Sequence, residues 1–346
     1  MTTETPAGSL EGRVELIHGA GGRAMAELIA AIFAPALANP YLAQGNDQAS
    51  LPIPSGGRLV MSTDGAVVSP LFFPGGDIGA LAVNGTVNDL AMAGAKPLYL
   101  SASFIIEEGF PLADLDRIAR SMGAAAQAAG VVVVTGDTKV VERGKADGLF
   151  IATAGIGVVP FGIILSGDQA QPGDRVILSG SLGDHGVAIL SQRENLTFAT
   201  PLLSDCAAVS PLVAKMMAAA GPAIRLMRDP TRGGLAATLN ELARQSGIGM
   251  SLEETAIPLK PAVTAACELL GLDPLTLANE GKLVAIVAPE AAESLIETMR
   301  AHPLGAEAAV IGTVVADERQ LVRMRTALGG ERIVDWLAGD QLPRIC

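Results

Sequence analysis

The stretch Val131-Val-Val-Val-Thr-Gly-Asp-Thr-Lys139 decides how this chain is read. Four β-branched residues in succession spell a buried strand. The strand is expected to end at Gly136, which frees the backbone, and to deliver a carboxylate (Asp137), a hydroxyl (Thr138) and a cation (Lys139). In α/β proteins ligands gather where strands end. A carboxylate there can hold Mg²⁺ and, through it, phosphate oxygens, while a lysine neutralises phosphate as a point charge. The plain alternative is a turn with a solvated lysine. A P-loop is excluded, because Gly-x-x-x-x-Gly-Lys-Ser/Thr occurs nowhere in the sequence.

Outward from this strand the chain alternates helix and strand. A helix at 111–129 precedes it, with Pro111 near its start, Gly130 just past its end, and an apolar face of Leu112, Leu115, Ile118 and Met122. Before that come strands at 97–105 and 58–63 and a helix capped by Asp77 that runs to about Ala93. Residues 13–17 read as a short strand running into His18-Gly-Ala-Gly-Gly and a helix from Arg23 to about Phe33. The uncharged run 148–167 contains Gly155, Gly157, Pro160 and Gly162, so it reads as strand, turn, strand and not as a membrane span. The second half repeats the style. Strands fall at 175–179, 282–288 and 309–315. Helices fall near 186–193, 208–220, 235–245 and from Pro289 to about Arg300. With 346 residues, 49% of them hydrophobic and 17% charged, this is an α/β (α+β) protein with more than one core. The expected division is a glycine-loop segment at 1–40, domains at 41–160 and 161–329, and a tail at 330–346.

The net charge of −12 excludes a nucleic-acid face and an anionic membrane surface, both of which need cations. Cys206, Cys267 and Cys346 form neither a disulfide framework nor a metal-ligand spacing, which points to a reducing cytoplasm. The acidic, polar start MTTETPAGSLEGR does not read as a signal peptide.

Asp47, Asp64, Asp89, Asp137 and Asp229 sit at ends of elements, beside small or polar residues, and as a set they are candidate Mg²⁺ ligands; singly each also reads as a cap or turn. Gly85 and Asp89 share a helix face flanked by Asn84 and Asn88, which suggests either close approach of a ligand or tight helix packing. In Asp229-Pro-Thr-Arg-Gly-Gly234, Thr231, Arg232 and Gly233 open a helix whose free N–H groups favour an anion, although Thr231 also reads as a cap. Gly19-Ala-Gly21-Gly22 formally matches a dinucleotide fingerprint, but no βαβ unit follows. A flexible loop over a nucleotide, or a plain turn, remains. Glu280, in Asn279-Glu-Gly-Lys282, reads as a general base if buried and as a surface turn if not. Cys346 ends a Pro-stiffened arm and could travel.

His-Gly-x-Gly-Gly (18–22), Ser-Thr-Asp (62–64), Pro-Leu-Phe-Phe-Pro-Gly-Gly (70–76), Asn-Asp-Leu (88–90), Thr-Gly-Asp-Thr-Lys (135–139), Leu-Gly-Asp-His-Gly (182–186), Thr-Arg-Gly-Gly (231–234), Asn-Glu-Gly-Lys (279–282) and the terminal Pro-Arg-Ile-Cys occur in that order. This pattern resembles the HypE family of hydrogenase maturation proteins, in the PurM-like superfamily of aminoimidazole ribonucleotide synthetase. The resemblance implies a homodimer with ATP near the dimer interface. It implies nucleotide contacts at Gly19, Gly21, Gly22, Asn88, Gly136, Thr138, Thr231, Arg232 and Gly233, with Mg²⁺ on the aspartates. A carbamoyltransferase, HypF, would load Cys346, ATP would drive dehydration to a thiocyanate, Lys139 and Glu280 would handle protons, and cyanide would pass to HypC–HypD. Ala20 and Pro230 depart from the family pattern, where serine and alanine are usual. The rival readings are another ATP enzyme of the superfamily, of the selenophosphate synthetase or thiamine-monophosphate kinase type, and a non-catalytic, nucleotide-switched carrier.

Overall fold

The computed structural model describes residues 11–44, 46, 48–194, 202–336 and 344–345. Two sheets organise the chain. The first has four strands: β1 (Gly57–Ala66), β2 (Lys96–Glu107), β3 (Val132–Val141) and β4 (Leu149–Pro160), in the order β1-β4-β2-β3. Only β2 and β3 run parallel. Helices α2 (Ile78–Met92) and α3 (Leu112–Ala129) cover one face, and a short α1 (Arg23–Leu28), continued to Ala36, packs near β3. The second sheet has seven strands in the order β11-β10-β7-β9-β5-β8-β6. They are β5 (Arg175–Leu178), β6 (Ile224–Arg228), β7 (Gly249–Glu253), β8 (Val284–Val287), β9 (Ala309–Val315), β10 (Val322–Arg325) and β11 (Glu331–Ile333). Its helices are α4 (Asp184–Arg193), α5 (Ser210–Ala220), α6 (Gly234–Ser246), α7 (Pro261–Leu270) and α8 (Ala292–Arg300). Apolar clusters fill both faces of this sheet.

Helix α2 joins the two halves. Asp77 starts it by accepting the N–H groups of Gly79 and Ala80 at 2.8 and 3.0 Å. It is apolar nearly all round, the pattern of a helix with no solvent face. Its early turns lie in the first core, and Ala91 and Met92 lie in a cluster with Val209, Leu212 and Met216 of the second half. Functional groups carried on α2 therefore face a junction between two bodies of structure.

Three expectations need correction. The strand at Val131 does not stop at Gly136; Thr-Gly-Asp-Thr-Lys lies inside β3, paired with Ser101–Ile105 of β2. Gly136 serves that pairing, since a Cβ there would lie 2.5 Å from the carbonyl oxygen of Ala102. The run around Gly155 and Gly157 is one strand, β4, and a Cβ at Gly155 would strike Thr86, Leu100 and Leu90. Residues 13–17 form no strand beyond an isolated bridge from Arg13 to Pro111, and Leu16–Gly19 is a helical turn. Strands β6, β7 and β10 also escaped the reading of the sequence. They are only four or five residues long, too short to show a period.

Candidate functional site

The structure sorts the candidate residues into two groups. The first lies at the junction. On β1, Ser62 and Asp64 face α2. The Ser62 hydroxyl donates to Asp89 at 2.7 Å, and an Asp64 oxygen occupies the space a Cβ at Gly85 would need, 2.3 Å away. The close approach foreseen at Gly85 is therefore that of a carboxylate from the neighbouring strand. Across the junction stand Arg228 and Asp229 at the end of β6, followed by Thr231 and Arg232. A cavity of about 590 Å³ is lined by Ser62, Asp89, Arg228, Asp229, Thr231 and Arg232.

Carboxylates dominate its electrostatics. Burial pushes Asp89 above its ordinary range; the Ser62 hydrogen bond opposes this and the charge of Asp64 adds to it. Asp229 is pushed up to about 7, by burial first and then by the charges of Asp89 and Asp64. Oxygen donors that raise one another in this way suit a hard cation. Among the described residues no three His, Cys, Asp or Glu converge closely enough to cage a metal by themselves. The set fits a Mg²⁺ that arrives with phosphate oxygens completing its shell. Asp47 lies outside the described residues.

Glu280 is 3% exposed, and its Oε1 has no hydrogen-bond partner among the described residues. Burial, and then the charges of Asp205, Asp229, Asp64 and Asp89, raise its pKa well above the ordinary carboxylate value. The four residues Asn279–Lys282 explain the burial. Asn279 is fully buried; it accepts from Gly183 N–H and donates to the carbonyls of Pro230 and Leu277. Gly281 leaves no room for a side chain, because a Cβ there would lie 1.8 Å from the carbonyl oxygen of Asp205. Lys282 reaches the Asp205 carboxylate at 3.3 Å. The surface-turn reading of Glu280 is overturned.

Two junction residues carry roles other than those expected. Asn88 hydrogen-bonds backbone: it donates to the carbonyls of Ala207 and Glu280 and accepts from Val209 N–H, so it braces α2 against the second half. Thr231 does not cap α6; Gly233 takes that place, with φ 77°.

The second group lies at the other edge of the first sheet. The Gly19 loop packs on β3, where a Cβ at Gly19 would lie 2.8 Å from Val140 N. Gly21, at φ 76°, and Gly22 lead into α1. Beside them a cavity of about 250 Å³ is lined by Met25, Ile29, Phe33, Phe104, Val133 and Thr138. Lys139 pairs with Asp137 at 2.8 Å, and this lysine holds the Asp137 carboxyl below its usual range. Within one chain, Asp137 and Lys139 do not join the junction. Across the sheet the register runs Asp64–Thr153–Ala102–Gly136, so β1 and β3 are three strand spacings apart, about 14 Å. Asp137 and Lys139 also lie on the open face with Ile105, opposite to the helix-covered face that Asp64 occupies.

Cys346 lies outside the described residues, but Ile345 before it is 3% exposed and bridges to Val68. Ile345 belongs to the same apolar cluster as Ala278, which shares a loop with Glu280. Sequence reasoning missed Asp205 and Ser204 altogether; both lie in an irregular segment with no periodic signal.

Residues 45–159 match the N-terminal domain and residues 171–325 the C-terminal domain of AIR synthase related proteins. A carbamoyl dehydratase HypE of Rhizobium leguminosarum bv. viciae is 68% identical over 335 residues, covering 97% of this chain and 95% of that one. A crystal structure of hydrogenase maturation protein HypE in complex with ATP superposes with a TM-score of 0.92 at 50% identity, over 96% of this chain and 99% of that chain. A chain of a crystal structure of a HypE–HypF complex superposes with a TM-score of 0.79 at 49% identity, over 91% of this chain and 100% of that chain. The chain belongs to the carbamoyl dehydratase HypE family, built on the two-domain framework of the AIR synthase related proteins.

Proposed function

We propose that this chain dehydrates a carbamoyl group carried on its own Cys346, with ATP as the dehydrating agent. The observation that carries the reading is Glu280: a buried carboxyl with an unpartnered oxygen and a raised pKa, on the loop whose Ala278 clusters with the residue before Cys346. The carboxamide oxygen is a poor leaving group. Transfer of the γ-phosphoryl group onto it makes it a good one. Phosphate then departs with that oxygen while nitrogen gives up its protons, leaving sulfur bonded to C≡N, with ADP and phosphate as co-products. Glu280 is proposed to accept a nitrogen proton, since a carboxylate with a raised pKa is a stronger base once ionised. Arg228 and Arg232 supply cationic charge to the cavity, and Mg²⁺, when held by Asp64, Asp89 and Asp229, would supply charge neutralisation. HypF is the proposed source of the carbamoyl group, and HypC–HypD the acceptor of the cyanide.

The working unit is proposed to be a pair of chains. The open face of the first sheet exposes Met61 (72%), Leu59 (57%) and Ile105 (38%), apolar side chains that a second copy seated there would cover. Lys139 lies on this face, so a second copy seated there is the route by which Lys139 and the glycine loop would meet the acidic junction. A non-catalytic carrier would have no need of a buried glutamate with an unpartnered Oε1. Cys346→Ala is expected to keep ATP affinity within about twofold and to yield no thiocyanate. Loss of nucleotide binding in that variant would contradict a carrier thiol that lies outside the nucleotide site.

A further inference from the structure

We propose that His185 is a positioning residue, a latch that holds the segment bearing Cys346 at the domain junction. His185 lies in α4 within Leu-Gly-Asp-His-Gly and is completely buried, with Phe73 edge-on to its ring at a centroid distance of 5.4 Å. Its Nε2 is 2.6 Å from the carbonyl oxygen of Ile345, and its Nδ1 is 2.8 Å from the Ser204 hydroxyl. A carbonyl only accepts, so Nε2 carries the proton. Burial holds the ring below its ordinary pKa, against the opposing pull of the Ile345 carbonyl and the Asp205 charge; Arg193 is the facing cation. The ring is therefore neutral, Nδ1 is an acceptor, and Ser204 donates to it while accepting the N–H of Cys206 at 3.0 Å. Both ring nitrogens are used, and the ring has one orientation.

The rest of the docking agrees. Ser69 N–H donates to the Arg344 carbonyl at 3.1 Å, the Arg193 guanidinium donates to the same oxygen, and Arg344 pairs with Asp147. The Ile345 side chain is buried beside Val68. A fully buried histidine aimed at the backbone of a chain end has no core-packing purpose that a leucine would not serve better. Only two described residues are held, by a few hydrogen bonds, so the latch can open for a carrier that must be loaded elsewhere. This last point rests on reading Cys346 as the carrier; the docking itself does not.

The test is tryptic cleavage after Arg344 in the full-length chain, followed by intact mass as loss of the Ile-Cys dipeptide and normalised to a synthetic peptide of the chain end. Wild-type protein should be clipped at least about tenfold more slowly than the peptide, and His185→Leu should recover about that factor, the order expected for losing one well-made hydrogen bond. His185→Gln, whose amide N–H can replace the Nε2 donor, should restore protection. Wild-type clipping at the peptide rate, or a folded His185→Leu clipped at the wild-type rate, overturns the latch. Where His185→Leu does not fold, Ile345→Ser decides: faster clipping supports the latch, and an unchanged rate overturns it. None of these readouts involves carbamoyl or ATP chemistry, so failure of the dehydration reading and failure of the latch are told apart.

Discussion

The carboxyl of Asp229, lifted to about 7 against a usual value near 4, makes stability a function of pH. A carboxyl with a raised folded-state pKa contributes its full share of stability below the unfolded pKa. That share is lost as pH rises through the folded value. Asp229→Asn removes the buried charge, so the variant should gain thermal stability over wild type as pH rises from about 4 to 7, levelling off on the order of 4 kcal/mol above that. MgATP should stabilise wild type more than the variant, because only wild type relieves a charge on binding. Melting curves at several pH values check both, and a pH-independent difference would contradict the raised pKa. At this scale the sequence was legible where polar residues stand at element ends, as with Asp64, Asp89, Asp229 and Glu280. It was silent on Asp205, which lies in an irregular segment and accepts from the backbone N–H of Glu280, 75 positions away.

At the scale of elements, the contact of β1 with α2 sets the acidic junction. Gly85 leaves the space that the Asp64 carboxylate fills. Gly85→Ala should push that carboxylate off the helix, cost about 1–3 kcal/mol in stability by overpacking, and weaken MgATP binding. Denaturant unfolding and nucleotide titration measure both effects; a variant with unchanged stability and unchanged binding would show that Asp64 has room to move without consequence. Long elements were readable in advance. Helix α2 has its cap at Asp77, and α3 ends at Gly130 in the left-handed conformation. In strand β3 the sequence suggests a stop at Gly136, and the strand runs through it. A glycine inside a strand permits a close neighbour as readily as it ends the strand, and only the Ala102 carbonyl shows which applies.

Across the whole molecule, the separation of Lys139 from the junction is what no single-chain reading could supply. The motifs fall in order along the sequence, but the sheet places β1 and β3 at opposite edges. If two copies complete one another, Lys139→Ala and Asp229→Asn should each be inactive alone. Mixed in equal amounts and allowed to exchange, they should recover activity, approaching about a quarter of wild type if one intact site per mixed pair suffices. No recovery after verified exchange would place both residues in a site built from one chain. The proposed dehydration takes place at the sulfur of Cys346, and a single turnover reads it directly. The chain is carbamoylated at Cys346, mixed with MgATP and quenched, and the C-terminal peptide is weighed. The expected result is a loss equal to one water, matched mole for mole by ADP; an unchanged peptide mass with ATP bound and intact rules the dehydration out.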